Sequence, residues 1–493
     1  MTQKTNSIND DELTYQLEYD RNKNDDSTPP VDEKIQVLSI WVFEAYTPSN
    51  IENFHKGVEK LGWGKDFWSV NPDFQDKVDE MRFQSSASGW LNLGFVVDSS
   101  STNAWPGTKK ADLPEGISHV RMTILQFLPS TTILACQFIL SSDLTNSVEE
   151  ALREKYYSYK EPIGSGYIIH DVVNQKRDSV TLARTFIKDL CSKWIKNNFP
   201  GLFSNSEIDG NFPTCELFTF EKYEPCINEN KLKFDNYLWI LNLDNYIDTW
   251  SSDDLENIFL TIDETRDNAD KFNIVLFCNV NKALTDKDTS LYGENNKDKL
   301  TGFLSYMDKT FGLWVLYVVA KTYDRALAKL RDSLGQVGDL SSYDSNQKLI
   351  NIERSFLDIQ RNTIPFIYEL KEYCKDKRSF LYDVYEFKAV HEIRQKHPPL
   401  FESVRNNLLS ISKYLEFNIG SLETSTKACR QIASVNSSNW LAKTNISLQK
   451  IMSWMTFVML IFTIITTLSS FEQLKKLFDL LKNFIIKYYI TSQ

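Results

Sequence analysis

The stretch IMSWMTFVMLIFTIITTLSSF, residues 451–471, contains no charged side chain, although 25% of the residues in the chain are charged. It lies between Lys450 and Glu472. A hydrocarbon core about 30 Å thick needs roughly 20 apolar residues in a helix, and no other stretch of the sequence meets this requirement. The sequence therefore predicts one transmembrane helix near the C-terminus, with Trp454, Phe457 and Phe462 inside it.

An apolar stripe leads into this span from upstream. After Pro398-Pro399, residues that step by three and four continue to Met455 without a proline, which predicts one helix of about 70 residues, roughly 100 Å long. The stripe consists of Leu400, Val404, Leu408, Ile411, Leu415, Ile419, Leu422, Thr426, Cys429, Ala433, Asn436, Trp440, Thr444, Leu448, Ile451 and Met455. Residues 398–450 are thus a predicted stalk helix. Repeated four-residue steps favour a straight bundle over a tight coiled coil. Polar positions such as Asn436 and Thr444 would face one another in an oligomer, or water in a monomeric bundle.

The segment downstream of the span is amphipathic. Residues 472–493 place leucine and aromatic side chains on one helical face and lysines on the other. Such a helix is typical of the membrane interface, which is the prediction for this segment. The alternative is a second span, in which Asp479, Lys482 and Lys487 would have to be solvated inside a bundle.

The N-terminal part divides into three regions by composition. Residues 1–33 are acidic and poor in aliphatic side chains, which predicts a disordered tail. Residues 34–290 alternate between strand-like and helix-like segments and predict an α/β or α+β domain. The predicted strands are Ile35–Phe43, Trp90–Val97, His119–Phe127, Thr131–Leu140, Tyr237–Leu243 and Asn273–Cys278. The polar segment 286–299 is a predicted loop, and residues 300–395 are predicted to be helical. Their main apolar stripe consists of Leu349, Ile352, Phe356, Ile359, Thr363, Phe366, Leu370 and Tyr373.

Composition limits the partners and the compartment. The formal net charge of −11 gives no basic footprint for nucleic acid, so neither DNA nor RNA is an expected partner. The seven cysteines are scattered and contain no C-x-x-C pair, which suits reduced cytosolic thiols rather than disulfides or a structural zinc site. The N-terminus lacks the apolar core of a signal peptide, so we expect the large N-terminal domain to be cytoplasmic.

Motifs for catalysis or cofactor binding are missing from the sequence. The phosphate-binding pattern G-x-x-x-x-G-K-[ST] is absent, and the five histidines show no H-E-x-x-H spacing. We expect no cofactor and no enzymatic activity. The sequence does not identify a bound metal. Asp244 follows an apolar run in the manner of a carboxylate at a strand end, and Asp248 and Asp263 lie nearby in sequence. With His170, which precedes Asp171 as a base would precede an orienting carboxylate, they form the set of candidate ligand residues. A structural role as caps or loop residues is the competing interpretation.

One known architecture is similar to this layout. A cytosolic α/β domain, a helical layer and a long stalk helix entering the membrane resemble the CorA-type divalent-cation channels. Asn445-Ile446-Ser447-Leu448-Gln449-Lys450-Ile451-Met452 leads into Met455-Thr456-Phe457 much as that family's stalk leads into its first span. The Gly-Met-Asn motif that closes the family's first span is absent, and Thr467-Leu468-Ser469-Ser470-Phe471 stands in its place. No site residue of the family is carried over.

These observations predict a membrane-anchored, homo-oligomeric sensor or binding protein, with membrane lipid as a partner and an unknown ligand for its cytoplasmic domain. A divergent CorA-like channel or pore is the alternative, with Thr456, Thr463, Thr466 and Thr467 facing the cation path. The competing interpretation is that these threonines hydrogen-bond to their own helix. A membrane-bound enzyme is the third hypothesis.

Overall fold

The computed structural model describes most of the chain. The described residues are 10–63, 74–83, 89–102, 108–205, 212–225, 236–243, 248–263, 273–285, 287, 289–337, 343–391 and 396–490. The chain divides into two compact units. The first consists of Met1–Leu327 and Leu357–Ile419, and the second of Ala328–Phe356 and Gly420–Gln493.

The first unit is built around a large mixed sheet. The strands are β1 Ile35–Tyr46, β2 Gly89–Asp98, β3 Lys109–Ala111, β4 Ile117–Leu128, β5 Thr131–Leu140, β6 Tyr159–Ile163, β7 Gly166–His170, β8 Thr214–Phe220, β9 Thr249–Ser251, β10 Ile258–Asp263, β11 Asn273–Asn279 and β12 Lys388–Ala389. Within the described chain, ten of them form one sheet in the order β12-β9-β10-β11-β8-β1-β5-β4-β2-β3. The pairs β11–β8 and β2–β3 are parallel, and the other pairs are antiparallel. The hairpin β6–β7 is separate.

Helices account for the rest of the regular structure. They are α1 Asp10–Ser27, α2 Ile51–Lys60, α3 Phe74–Phe83, α4 Ser142–Thr145, α5 Ser147–Arg153, α6 Val172–Asn198, α7 Leu202–Asn205, α8 Asn236–Ile240, α9 Asn296–Phe303, α10 Asp308–Gly335, α11 Tyr343–Lys375, α12 Lys377–Leu381 and α13 Leu400–Ile490. Two 3-10 turns, Ser290–Tyr292 and Leu304–Met307, flank α9.

Helices cover both faces of the sheet. Strand β1 is buried along its whole length, as expected of a central strand packed on both sides. On one face, Phe138 of β5 contacts Trp194 of α6, with ring centroids 5.7 Å apart. On the other, Trp41 of β1 contacts Phe311 of α10 at 5.4 Å. The prediction of an N-terminal α/β domain is therefore confirmed.

Five of the six predicted strands are present, but Tyr237–Leu243 was predicted incorrectly. Its first part forms helix α8 instead. Tyr237, Leu238, Ile240 and Leu241 are buried while Trp239 is 37% exposed, a spacing that fits one face of a helical turn. A short apolar run does not distinguish a buried strand from a buried helix, which explains the error.

The N-terminal prediction of disorder to residue 33 is wrong for Asp10–Ser27, which form α1. Hydrogen bonds of Asp20 and Asn24 hold this helix against residues 156–158. The Asp20 carboxylate accepts from the Ser158 backbone N–H at 2.8 Å and from its hydroxyl at 2.6 Å. Asn24 pairs with both backbone groups of Tyr156, at 2.7 and 3.1 Å. Composition underestimates order where polar side chains find partners far away in sequence.

The segment 286–299, predicted to be a loop, also contains regular structure. It includes the 3-10 turn Ser290–Tyr292 and the start of α9. The Asn295 side chain caps α9 by accepting a hydrogen bond from the Asp298 backbone N–H at 2.8 Å. A polar helix with a strong cap has no apolar periodicity, so the sequence pattern gave no helical signal.

The C-terminal helix α13 is continuous over 91 residues. Most positions of the predicted apolar stripe are buried between Leu400 and Ala433. The buried residues are Leu400, Val404, Leu408, Leu415, Ile419, Leu422, Thr426 and Ala433. An apolar window of α13 is long enough to cross a membrane, and none of it is buried within the protein. The helix continues without a turn through residues 469–471, so it contains no break between two antiparallel spans.

The second unit consists only of helical segments among its described residues. They belong to the C-terminal part of α10, the N-terminal part of α11 and α13 from Gly420 onward. Its buried side chains, among the described residues, are Leu330, Leu334, Ser345, Leu349, Ile352, Phe356, Leu422, Thr426 and Ala433. The predicted α11 stripe thus contributes Leu349, Ile352 and Phe356 to the packing of this unit.

Glu44 at the end of β1 is a buried carboxylate that joins β1 to α7. Its oxygens accept hydrogen bonds from the backbone N–H groups of Ala45, Phe203 and Ser204 at 2.8–3.0 Å and from the Ser204 hydroxyl. A Cβ at Gly201 would lie 2.6 Å from the Ala45 carbonyl oxygen and from Glu44 Cγ, so the close approach requires glycine. This carboxylate organises the turn between α6 and β8.

We expect the stability of the protein to depend on pH through Glu44. Burial raises the pKa of Glu44 to about 7 from 4.5, while the hydrogen bonds from Ser204, Phe203 and Ala45 lower it. Between these values the folded chain holds a proton that the unfolded chain releases, so the free energy of unfolding falls as pH rises from about 4.5 to about 7. At about 1.4 kcal/mol per pKa unit, the loss is on the order of 3 kcal/mol. Urea denaturation of the full chain at several pH values measures this loss in the free energy of unfolding.

The matched substitutions are Glu44→Gln and Glu52→Gln, the second at an exposed position of α2. We expect the first to remove most of the slope of unfolding free energy against pH in this window, and the second to leave it unchanged. An identical slope in the parent and in Glu44→Gln would show that other groups cause the pH dependence.

Candidate functional site

Of the candidate ligand residues, those that the structure describes lie on separate elements of the fold. Asp244 lies outside the described residues, and of Asp263 only its place at the end of β10 is described. Asp248 precedes β9, where its carbonyl accepts a hydrogen bond from the Thr261 hydroxyl at 3.1 Å. His170 ends β7, in the separate hairpin. Asp248 and His170 therefore belong to different sheets.

His170 does not use Asp171 as a partner. Its Nε2 lies 2.8 Å from the Glu161 carboxylate, and its ring stacks on Tyr159 with centroids 4.5 Å apart. Asp171 instead caps α6, because its side chain accepts a hydrogen bond from the Asn174 backbone N–H at 2.7 Å. The two neighbours in sequence thus have separate structural roles, and the predicted pairing of His170 with Asp171 is not formed.

The four threonines of the apolar segment bond to their own helix. The hydroxyls of Thr456, Thr463, Thr466 and Thr467 each donate to the carbonyl four residues earlier, at 2.6–2.8 Å. This is the arrangement expected of threonines that satisfy their hydroxyls within an apolar helix.

A cleft over the β2–β4 edge of the sheet is the best-formed candidate site. It comprises two cavities of about 730 and 410 Å³. Both are lined by Trp90, Arg121, Ser305 and Tyr306, so the two are adjacent. Volumes of this size are typical of small-molecule sites. We call this pair of cavities the double cleft.

Strands form the floor of the double cleft, and the segment around α9 forms its roof. Alternate residues of β4, including His119, Arg121 and Thr123, point from the sheet into the cavities. The Gln137 side-chain amide of β5 donates to the Thr301 carbonyl of α9 at 3.3 Å, which ties floor to roof. A Cβ at Gly302 would lie 2.7 Å from the Tyr292 Cβ, so glycine lets α9 approach the preceding 3-10 turn.

A buried charge pair lies at the junction of the two cavities. Arg121 Nη1 is 3.6 Å from Asp308 Oδ2, and the two side chains are only 12% and 6% exposed. The Trp41 indole N–H donates to Asp308 Oδ1 at 2.9 Å. Burial raises the pKa of Asp308, while Arg121, Thr123 and Trp41 lower it. The pair places a buried guanidinium against the interior of the double cleft.

Aromatic and titratable side chains complete the walls. A hydrogen bond with Tyr306 raises the pKa of Tyr292 to about 12, so the Tyr292 phenol is a neutral hydrogen-bonding group near neutral pH. Burial lowers the pKa of His119, which favours the neutral imidazole. Lys309 lies 3.7 Å from Asp383, and burial lowers the pKa of this lysine. The double cleft therefore combines several aromatic surfaces with the ion pairs Arg121–Asp308 and Lys309–Asp383.

Sequence analysis missed this site. Its one local signal is Arg121, the single charged residue in the apolar run VRMTILQF of β4. Among the described residues, no group of three or more His, Cys, Asp or Glu is arranged to hold a metal ion.

Comparisons with known proteins do not assign this chain to a family. No protein-family model matches it, and no curated protein is similar to it in sequence.

Proposed function

We propose that this protein is a membrane-anchored binding protein, with its α/β domain in the cytoplasm and a ligand site in the double cleft. The observation that carries the proposal is the apolar segment of α13, of which no part is buried within the protein. Apolar side chains that no part of the chain covers are stabilised by lipid, because transfer from water into hydrocarbon is favourable. The ligand would bind in the double cleft of the α/β domain.

A homo-oligomer belongs to this proposal. Ile432, Val435, Leu441 and Ile446 of α13 are each more than half exposed, upstream of the apolar segment. Copies anchored in one bilayer by this segment would lie parallel and present these side chains to one another. Ligand binding in the α/β domain would then bias the helices between two packings.

A divergent CorA-like channel is the alternative. The observation in its favour is the order of long helices, in which α10 and α11 precede α13 with its apolar segment. In such a channel several copies of the segment would enclose the cation path. The threonine hydroxyls would still offer lone pairs to a cation while donating to their own helix.

Topology and assembly of the full chain test the proposal. We expect the protein to remain with membranes after carbonate extraction, and its α/β domain to resist protease added outside intact cells. Purified in detergent, it should have the mass of an oligomer by light scattering. An extracellularly cleaved α/β domain or a monomeric mass would contradict the corresponding part of the proposal. Cation flux into liposomes containing the oligomer would favour the channel instead.

A further inference from the structure

The chemistry of the double cleft points to a ligand class. Arg121 lies in the shared part of both cavities, and its Nη1 is buried without a hydrogen-bond acceptor among the described residues. The nearest carboxylate oxygen, on Asp308, is 3.6 Å away, which is too far for a hydrogen bond. Buried donors in folded proteins are normally satisfied. An acceptor that enters from outside the chain would complete the hydrogen bonding of this guanidinium.

A carboxylate is the acceptor that suits this donor best. Hydrogen bonds between a guanidinium and a carboxylate are charge-assisted and stronger than neutral ones. Asp308 does not replace such a ligand, because its Oδ1 already accepts from the Trp41 indole and its Oδ2 stays beyond hydrogen-bonding distance of Arg121. The opening therefore has room for one acidic group beside Arg121.

The aromatic walls indicate a planar body. Trp90, Phe95, Tyr292 and Tyr306 line the larger cavity. Trp90 is 56% exposed and Tyr306 is 51% exposed, although both line the cavity. Aromatic side chains favour stacked or edge-on contacts with a flat ring. A planar ring system would cover these exposed surfaces.

The charges around the double cleft limit the ligand to a single negative charge. The described lining contains two cationic side chains, Arg121 and Lys309, and four carboxylates, Asp254, Asp298, Asp308 and Asp383. Lys309 Nζ lies 3.7 Å from Asp383 Oδ2. Several phosphates would face Asp254 and Asp298 without a matching cation, so a nucleotide is disfavoured. Arg121 is paired with Asp308, but its Nη1 has no hydrogen-bond acceptor among the described residues, so the double cleft offers a donor for one acidic group.

We propose that the double cleft binds a small planar aromatic monocarboxylate, with its acid group on Arg121 and its ring against Trp90. This inference rests on the binding role proposed above and names its ligand class. It gives the cytoplasmic domain a specific chemistry, in which burial of the ring and a charge-assisted hydrogen bond from one guanidinium act together.

Naphthoate is the probe, with its neutral amide naphthamide as the matched compound. Calorimetry with the full chain in lipid nanodiscs should detect naphthoate binding that is at least about tenfold tighter than naphthamide binding, because a hydrogen bond to a charged group is worth about 1.5–3 kcal/mol. Arg121→Gln should abolish this preference, and Arg121→Lys should retain part of it. Trp90→Ala should weaken both compounds. Lys196→Gln, an exposed cation of α6, is the control and should change neither.

Three results would overturn the inference: no naphthoate binding at about 1 mM, equal binding to the parent and a folded Arg121→Gln variant, or preferential binding of the cation naphthylmethylamine. The melting temperatures of Arg121→Gln and Arg121→Lys, measured beside that of the parent, show whether each variant is folded. Membrane association is measured on the same preparations. Intact anchoring without naphthoate binding rejects the ligand class alone, whereas loss of anchoring rejects the proposed function.

Discussion

Replacing Leu460 and Ile464 together by lysine should release the protein from membranes. Both positions lie near the middle of residues 451–471, and their side chains are 56% and 49% exposed, so they make few contacts within the chain. Each lysine at the centre of a span costs about 2.5–3.5 kcal/mol. Together they oppose insertion by roughly 5–7 kcal/mol, more than a thousandfold in partition. The carbonate-resistant fraction of the full chain, followed by immunoblot, measures the effect.

Ile432→Lys with Val435→Lys is the matched control. It adds the same two charges to exposed positions of α13, upstream of the uncharged run. We expect this variant to stay with membranes as the parent does. If Leu460→Lys with Ile464→Lys also stays with membranes, lipid is not what covers the apolar segment, and a protein partner holds it instead.

Local periodicity made the long helices predictable. Leu349, Ile352 and Phe356 on α11, and Leu408, Leu415 and Ile419 on α13, occupy the buried faces that their spacing predicts. An α-helix has 3.6 residues per turn, so apolar side chains three and four positions apart lie on one face. This spacing is the same whichever elements the helix packs against. The same holds for β1 and β11, whose β-branched and aromatic residues are typical of buried strands.

Elements stabilised by distant partners were not predictable in this way. Helix α1 depends on Ser158 and Tyr156, which lie more than 130 residues away. The conformation of α8 involves Arg184 of α6, which donates to the Leu241 carbonyl at 3.2 Å. No local composition encodes such contacts, so the sequence favoured disorder for α1 and a strand for α8.

The double cleft could not be predicted because its parts are brought together only by the sheet. Trp41 and Asp308 are separated by 267 residues, yet their side chains share a hydrogen bond. Of the carboxylates singled out from sequence, Asp244 and Asp248 follow an apolar run that does not form the expected strand, whereas Asp263 ends β10. A single arginine in a strand-like run was the useful signal, since a buried charge needs a partner.

Glu216→Ala should cause a large loss of stability. Glu216 of the central strand β8 is completely buried and accepts hydrogen bonds from Arg184 Nε at 3.1 and 3.2 Å. Lys188 Nζ lies 2.9 Å from the same carboxylate. Both cations come from one face of α6. Alanine would leave them buried without their anion, which costs about 3–5 kcal/mol in free energy of unfolding. Urea denaturation of the full chain, followed by tryptophan fluorescence, measures the loss.

Two further variants distinguish the effect of leaving a buried charge unpaired from the effect of losing packing contacts. Asp253→Ala breaks the ion pair with Lys388, in which the lysine side chain is 54% exposed and the aspartate side chain is 78% exposed. We therefore expect the free energy of unfolding to change by less than about 1 kcal/mol. Combining Glu216→Leu with Arg184→Met and Lys188→Met removes the charges together and should recover most of the stability lost in Glu216→Ala. If Glu216→Ala costs no more than Asp253→Ala, the cations must find water or another anion. The ion cluster would then not be what fixes α6 against β8.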